Sequence, residues 1–329
     1  MSALSLPKLP AVASSPVAVE VFNGLTERPR TLSPWLFYDE AGSRLFEDIT
    51  ELPEYYVTRT ERKILSKHAA EIVSLAAGGE YLSMIELGAG TATKTGLLLQ
   101  AAVSLQGSVT YYPIDVSETA LDEARTRIED EMPEVTVEPI VADYTEGMRQ
   151  NRADVLGSMG PRLVLYIGSS IGNFSPSDAL EVLRGVRAQL SPGDSLLLGT
   201  DMVKDTSVLL AAYDDAAGVT AKFNKNVLHR INRELDANFD PQRFRHVARW
   251  NELHSRIEMH LESLVAQRVM IRALDLEVRF KAGETIHTEN SYKFTDQRVC
   301  ALLTRAGFKL RRQWSDANKW FTVYLASTN

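Results

Sequence analysis

Met84-Ile85-Glu86-Leu87-Gly88-Ala89-Gly90-Thr91-Ala92-Thr93-Lys94-Thr95 is the stretch from which the fold can be read. A short apolar run, Tyr81 to Leu87, carries Glu86 near its end and then meets two glycines. A helix-compatible segment, Lys94 to Val103, follows, so the order is strand, tight glycine turn, helix. Glycine lets backbone approach a ligand closely, and a helix N-terminus offers unpaired N–H groups and a partial positive charge. Thr93 stands where a dinucleotide fingerprint would have its third glycine, and no G-x-x-x-x-G-K-[ST] loop is present, so a phosphate is not the first choice of ligand.

The next two strands narrow that choice. Val109 to Asp115 is rich in β-formers and ends in a carboxylate, placed to hold the two hydroxyls of a ribose. Glu134 to Val141 is followed by Asp143-Tyr144. An acceptor beside a flat ring suits the amino group and the face of an adenine. The bland reading of Asp115 and Asp143 is helix N-caps at strand–helix turns. Taken in this order and spacing, a glycine turn, a ribose carboxylate and an adenine clamp without a phosphate motif favour S-adenosylmethionine over a dinucleotide.

With 329 residues the chain has room for one large or two ordinary domains. Its 44% hydrophobic and 24% charged residues are those of a globular protein. A net charge of −7 argues against nucleic acid or an anionic membrane as the main partner. Cys300 is the single cysteine, which excludes an internal disulfide and a cysteine-rich zinc site. Six scattered histidines give no metal-ligand spacing, so no metal is expected. No apolar run is long enough to span a bilayer, and a signal-peptide pattern is absent from the start. The expectation is a cytoplasmic, monomeric enzyme acting on a small molecule.

Residues 1–17, rich in Pro, Ser and Ala, read as a mobile tail. Aromatics then gather in Pro34 to Asp39 and in Leu52 to Glu61, ahead of a helix over about Thr60 to Ala77. Their bland reading is packing; the other is a cap over the cofactor. Past the turn, Arg162 to Gly168 is a continuous apolar run, as a central parallel strand should be. Ser175-Pro176 opens a helix by N-cap and first-turn proline, and Ser195 to Asp201 is the next strand. There the α/β rhythm stops. Val203 to about Arg233 reads as helical, and alternating runs from Val247 to Phe280 predict an antiparallel sheet exposed on one face. A helix over Thr295 to Ala306 and two closing strands, Gly307 to Trp314 and Trp320 to Ala326, end the chain as methyltransferase-type Rossmann sheets end. The expected fold is α/β, a Rossmann-like class I methyltransferase sheet with a second α+β domain. Residues 18–60 and 202–289 would form the substrate domain and lid, and residues 61–201 with 290–329 the core.

Six segments resemble the histidine Nα-methyltransferases of ergothioneine biosynthesis. They are Pro53 to Glu61, Glu86 to Thr91, Gly168 to Asn173, Leu198 to Asp205, Tyr213 to Asn224 and His287 to Phe294, and the resemblance covers nearly the whole chain after about Val19. It implies successive transfer of three methyl groups from S-adenosylmethionine to the α-amine of histidine, with S-adenosylhomocysteine as co-product. The family's cofactor contacts fall on Gly88, Lys94, Asp115, Asp143 and Tyr144. Lys94 would face the methionyl carboxylate; the bland alternative is a solvated helix lysine. The substrate contacts fall on Tyr38, Tyr55, Gly168, Asn173, Tyr213, Met259, Glu289 and Ser291. Of these, Asn173 and Tyr213 would hold the carboxylate, Tyr55, Glu289 and Ser291 the imidazole, and Tyr38 and Gly168 would lie near the reacting amine. Around Glu289 the match is looser, with Asn290 and Tyr292 differing.

The chemistry suits these roles. Methyl transfer is an in-line displacement by a neutral amine, so alignment matters more than a strong base or a metal. A rival enzyme reading is an Nα-methyltransferase for tryptophan or an indole amine, against which Glu289 and Met259 argue. A rival of another class is a non-catalytic module that holds S-adenosylmethionine.

Overall fold

The computed structural model describes residues 15–90, 92–142 and 160–328. The chain divides into two compact units: residues up to Tyr56 with Lys204–Ser291, and Val57–Val203 with Tyr292–Asn329.

The second unit is built on a mixed sheet. Its strands lie in the order Lys309–Ser315, Phe321–Ser327, Ser195–Asp201, Arg162–Tyr166, Ser83–Leu87, Val109–Asp115 and Val135–Val137, with Ile140–Val141 also beside Val109–Asp115. Every residue of Ser83–Leu87 and Ser195–Asp201 is buried, which is why these stretches are apolar without alternation. Ser83–Leu87 pairs in parallel with Val109–Asp115 on one side and Arg162–Tyr166 on the other. The chain thus leaves Ser83–Leu87 in one direction and later returns to its other flank. Ligands of open α/β sheets bind outside the carboxyl ends of the strands at such a reversal. The closing hairpin runs antiparallel to Ser195–Asp201. Helices Pro176–Gln189 and Asp296–Arg305 lay Leu180, Leu183, Val186, Val299, Leu302 and Leu303 on one face of the sheet, against Ile85, Val164, Leu196 and Tyr324. Each such buried side chain contributes ~1.5–3 kcal/mol. The chain leaves and re-enters this unit at two adjoining segments: Val203 N–H donates to Phe294 O and Phe294 N–H to Asp201 O. There the Lys293 ammonium meets Asp201 at 2.8 Å, both side chains almost wholly buried. Removing one partner of such a pair strands the other charge, at ~3–5 kcal/mol.

The first unit departs from the sequence-based expectation in three places. Pro16 and Val17 already belong to a helix, Pro16–Thr26, which Ser15 caps, and residues 1–14 lie outside the described ones. The helical stretch after Val203 is two helices, Thr206–Tyr213 and Val219–Leu235. Gly218 at φ +71° and the Asp215 carboxylate, which accepts the Val219 and Thr220 N–H groups, break it. The antiparallel strands do not make one sheet. Phe244–Asn251, Arg256–Ser263 and Thr285–Tyr292 are joined by the two-residue strand Arg30–Thr31, which runs parallel to Thr285–Tyr292, while Gln267–Ile271 and Leu276–Phe280 form a separate hairpin. Helix Glu40–Glu51 starts at Asp39, whose carboxylate accepts from Gly42 N–H, Asn226 and Arg233. Burial works to raise the Asp39 pKa, but these bonds together hold it below the ordinary value.

Candidate functional site

The glycine turn stands at the reversal of the second unit's sheet. Gly88 and Gly90 sit at φ +67° and +52°, a region L-side chains avoid. Gly88 and Ala89 N–H groups both donate to Ile114 O, which binds the turn to the neighbouring strand. Asp115, at the end of that strand, accepts the Gly90 N–H at 2.9 Å through Oδ2 and the Ser117 N–H at 2.9 Å through Oδ1. It is not the helix N-cap; Ser117 has that place for Glu118–Glu131. Each Asp115 oxygen keeps a second lone pair for a hydroxyl. Asp143 and Tyr144 lie outside the described residues, as does Thr91.

Lys94 precedes the helix, and its ammonium is paired rather than left to solvent. Helix Gly96–Gln106 starts after it, and the Lys94 ammonium contacts Glu61 Oε2 at 2.5 Å. At the end of the next strand, Gly168 has φ +78°, and Ser169 takes the left-handed conformation with its Oγ accepting the Asp201 N–H. Asn173 closes the 3-10 turn Ser170–Asn173. Gly172 in that turn passes so close to Tyr292 that a Cβ would meet its carbonyl oxygen at 2.8 Å. Gly88, Lys94, Gly168 and Asn173 therefore fall on turns past the carboxyl ends of adjacent parallel strands, and Asp115 is the last residue of such a strand.

In the first unit, aromatic edges run in series. Tyr38 meets Phe46 and Phe223, Phe46 meets Tyr55, and Tyr55 meets Tyr213, with centroids 5.6–6.4 Å apart in edge contacts. The Tyr213 hydroxyl lies 2.7 Å from Ser291 Oγ. Ser291 and Glu289 share strand Thr285–Tyr292, whereas the buried Met259 lies on Arg256–Ser263. Thr288 Oγ1 is 3.0 Å from Met259 O and 2.8 Å from Asn224 Oδ1. Asn224 in turn donates to His246 Nδ1, and His246 Nε2–H donates to Tyr213 O, both at 2.8 Å. The imidazole is neutral in this arrangement, and burial holds its pKa below the ordinary value.

A model of the histidine-specific, S-adenosylmethionine-dependent methyltransferase family matches residues 17–328. The chain belongs to that family. It is 47% identical over 307 residues to the histidine N-alpha-methyltransferase of Mycolicibacterium smegmatis, covering 93% of both chains. It is 44% identical over 308 residues to the Mycobacterium tuberculosis protein of the same name, covering 94% of both. Ergothioneine biosynthesis protein 1 of Neurospora crassa is 30% identical over 306 residues, which cover 91% of this chain and 33% of that protein. The sheet has the strand order of a Rossmann-like methyltransferase.

Three groups near these family positions escape the sequence reading. The first is Glu61, in helix Tyr56–Ala77, where neighbouring Arg59, Arg62 and Lys63 suggest a solvated stripe. The second is Glu86, buried below the glycine turn, which accepts from Tyr111 OH and, at 2.5 Å, from Thr95 Oγ1. Burial lifts its pKa to about 7 against these bonds and the Lys94 charge. The third is the Asn224–His246 pair, whose partners are 22 residues apart in the chain. Among the described residues, Glu258, His260 and His287 bring donor atoms within 4.8 Å of one another, which no spacing foretold. The Arg256 guanidinium and Asn251 already occupy Glu258 Oε1, at 2.6 and 2.8 Å, and the His287 Nε2–H donates to Glu289 O. A fixed cation there opposes a second one. The stacked rings, 4.6 Å apart, fit a neutral pair: burial, and next the His287 charge, push His260 down to about 4. Among the described residues no helix is long and apolar enough to cross a membrane.

Proposed function

We propose that this protein methylates the α-amine of L-histidine three times at the expense of S-adenosylmethionine, giving the trimethyl betaine and S-adenosylhomocysteine, the entry step of ergothioneine biosynthesis. The observation that carries the reading is the family match, which runs through both units without a break. In the second unit, Gly88 and Gly90 admit the donor's backbone-hugging part, Asp115 takes the ribose hydroxyls, and Lys94 takes the methionyl carboxylate. Asp143 and Tyr144 are the proposed adenine contacts. In the first unit, Tyr55, Glu289 and Ser291 take the imidazole, with Met259 at its edge, and Tyr213 takes the substrate carboxylate together with Asn173. Tyr38 and the Gly168 backbone attend the amine.

The donor supplies an electrophilic methyl on a sulfonium. The amine must arrive deprotonated and in line, and one proton leaves at each step. The growing ammonium is tolerated where neighbouring groups are small or present oxygen and ring faces. Gly168 supplies the first property and Tyr38 the second. The net charge of −7 supports a small-molecule enzyme rather than a nucleic-acid binder, and the proposed setting is a metal-free cytoplasmic monomer. The test is a mass-spectrometric assay with the purified protein, L-histidine and S-adenosylmethionine. Mass gains of one, two and three methyl groups on histidine are expected. Gains on tryptophan alone, or none on any amino acid, overturn the reading.

A further inference from the structure

Glu61 has no solvent exposure, and a buried carboxylate is costly unless its oxygens are paired. Its partners come from two distant turns of the second unit. The Gly168 N–H donates to both oxygens, at 2.9 and 3.0 Å, and the Lys94 ammonium donates to Oε2 at 2.5 Å. Two glycines make the room. A Cβ on Gly199 would stand 2.2 Å from Glu61 Oε1, and a Cβ on Gly168 would stand 3.1 Å from Lys94 Nζ. The strand Ser195–Asp201 thus gives up a side chain in the middle of a sheet to admit this carboxylate. Of the pair only Lys94 reaches outward: its side chain is 22% exposed and that of Glu61 is 0% exposed. A lysine otherwise points its ammonium through a flexible four-carbon stem and loses rotamer freedom when fixed. Here Glu61 does the fixing, and the same carboxylate fixes the Ile167–Gly168 peptide.

We propose that Glu61 is a positioning residue for methyl transfer. It holds the Lys94 ammonium and the Gly168 backbone at one spacing, so that the donor's carboxylate end is seated in register with the backbone that borders the amine. The inference rests on the proposed reading of Lys94 as the group that binds that carboxylate. Glu61 touches neither donor nor acceptor; it acts through Lys94 and Gly168.

The test is a double-mutant cycle of Glu61→Gln and Lys94→Met, with kcat and KM for S-adenosylmethionine and histidine, and calorimetric affinity for S-adenosylhomocysteine. Glu61→Gln keeps the shape and an acceptor for the Gly168 N–H but removes the charge that holds Lys94. It is expected to lower kcat roughly tenfold while the donor KM moves much less, and to change kcat by less than about twofold in the Lys94→Met background. Glu61→Asp, which keeps the charge one methylene short, is expected to fall between Gln and wild type, and takes the Gln variant's place in the cycle if that variant does not fold. Equal losses in both backgrounds mean a merely structural role and overturn the inference. So does a Glu61→Gln enzyme with wild-type kinetics. If Lys94→Met leaves S-adenosylhomocysteine affinity unchanged, the Lys94 reading falls and this inference with it. If affinity drops but the cycle is additive, only the Glu61 inference falls.

Discussion

The Tyr213 and Ser291 hydroxyls stand 2.7 Å apart, both residues buried, one at the end of a helix and the other near the end of a strand. One of the two hydroxyls donates across that gap, so each sets the direction of the other. In the proposed site Tyr213 serves the carboxylate of histidine and Ser291 its imidazole.

Tyr213→Phe and Ser291→Ala should each therefore raise the KM for histidine, by roughly five- to twentyfold, the scale of one lost hydrogen bond with its desolvation cost. Because each residue orients the other, the double variant should lose less than the product of the single losses. Steady-state kinetics of the four proteins checks this. Strictly multiplicative losses would mean that the two hydroxyls act on the substrate separately.

Asp115 ties the Gly90 N–H to the end of its strand while keeping lone pairs for a ribose. Asp115→Ala is expected to weaken S-adenosylhomocysteine binding by ~1–3 kcal/mol, the range of a charged hydrogen bond. Calorimetry measures it, with the melting temperature as a check on folding. A folded variant with unchanged affinity removes Asp115 from the donor site.

Why so much of the second unit was legible, and less of the first, follows from how each stores its information. Ser195–Asp201 and Ser83–Leu87 are buried on both faces, so their consecutive apolar residues, Leu196-Leu197-Leu198 and Met84-Ile85, declare them without alternation. Ser175-Pro176 names its own helix start, and the Ser175 hydroxyl does accept the Asp178 N–H. Arg30–Thr31 is a strand only because Thr285–Tyr292 lies beside it, and two residues carry no period. The break at Asp215 was hidden because Tyr213 and Val219 fit one helical face, while the deciding bond is a carboxylate folding back on two N–H groups. Glu61 was hidden for a different reason. Its partners lie 33 and 107 residues away, and a buried acid in a basic stretch looks like a solvated one until the two glycines that admit it are seen.

Glu86 makes stability depend on pH in an unusual direction. Burial raises it from the ordinary 4.5 to about 7 in the folded chain. Across that window the unfolded chain has released a proton that the folded chain still holds, so stability falls as pH rises, by on the order of 3 kcal/mol in all. Glu86→Gln removes the titration and leaves acceptor and donor groups for Tyr111 and Thr95. The melting temperature of this variant relative to wild type should rise by several degrees between about pH 5 and pH 8. Thermal melts across that range decide it, and a pH-independent difference between the two proteins contradicts the raised pKa.

Glu289 decides between histidine and its rivals. Its strand carries a local tie at this point, the Glu289 carbonyl accepting the His287 Nε2–H at 3.0 Å. A carboxylate partly removed from water must be paired. The imidazole of histidine offers a ring N–H, or an ion pair when protonated. A phenylalanine side chain offers neither, so it forgoes the contact that histidine makes with the acid. Glu289→Ala should then lower kcat/KM for histidine by roughly 10²-fold while S-adenosylhomocysteine binding stays near wild type. Discrimination against tryptophan should relax at the same time, because the preference for a ring that pairs with the acid has gone. The bland account, a strand carboxylate with no ligand, predicts little change in either number. Measuring kcat/KM of the variant for both amino acids separates the two accounts: a wild-type value for histidine would sink the assignment of Glu289, and with it the physical basis for preferring histidine over larger apolar amines.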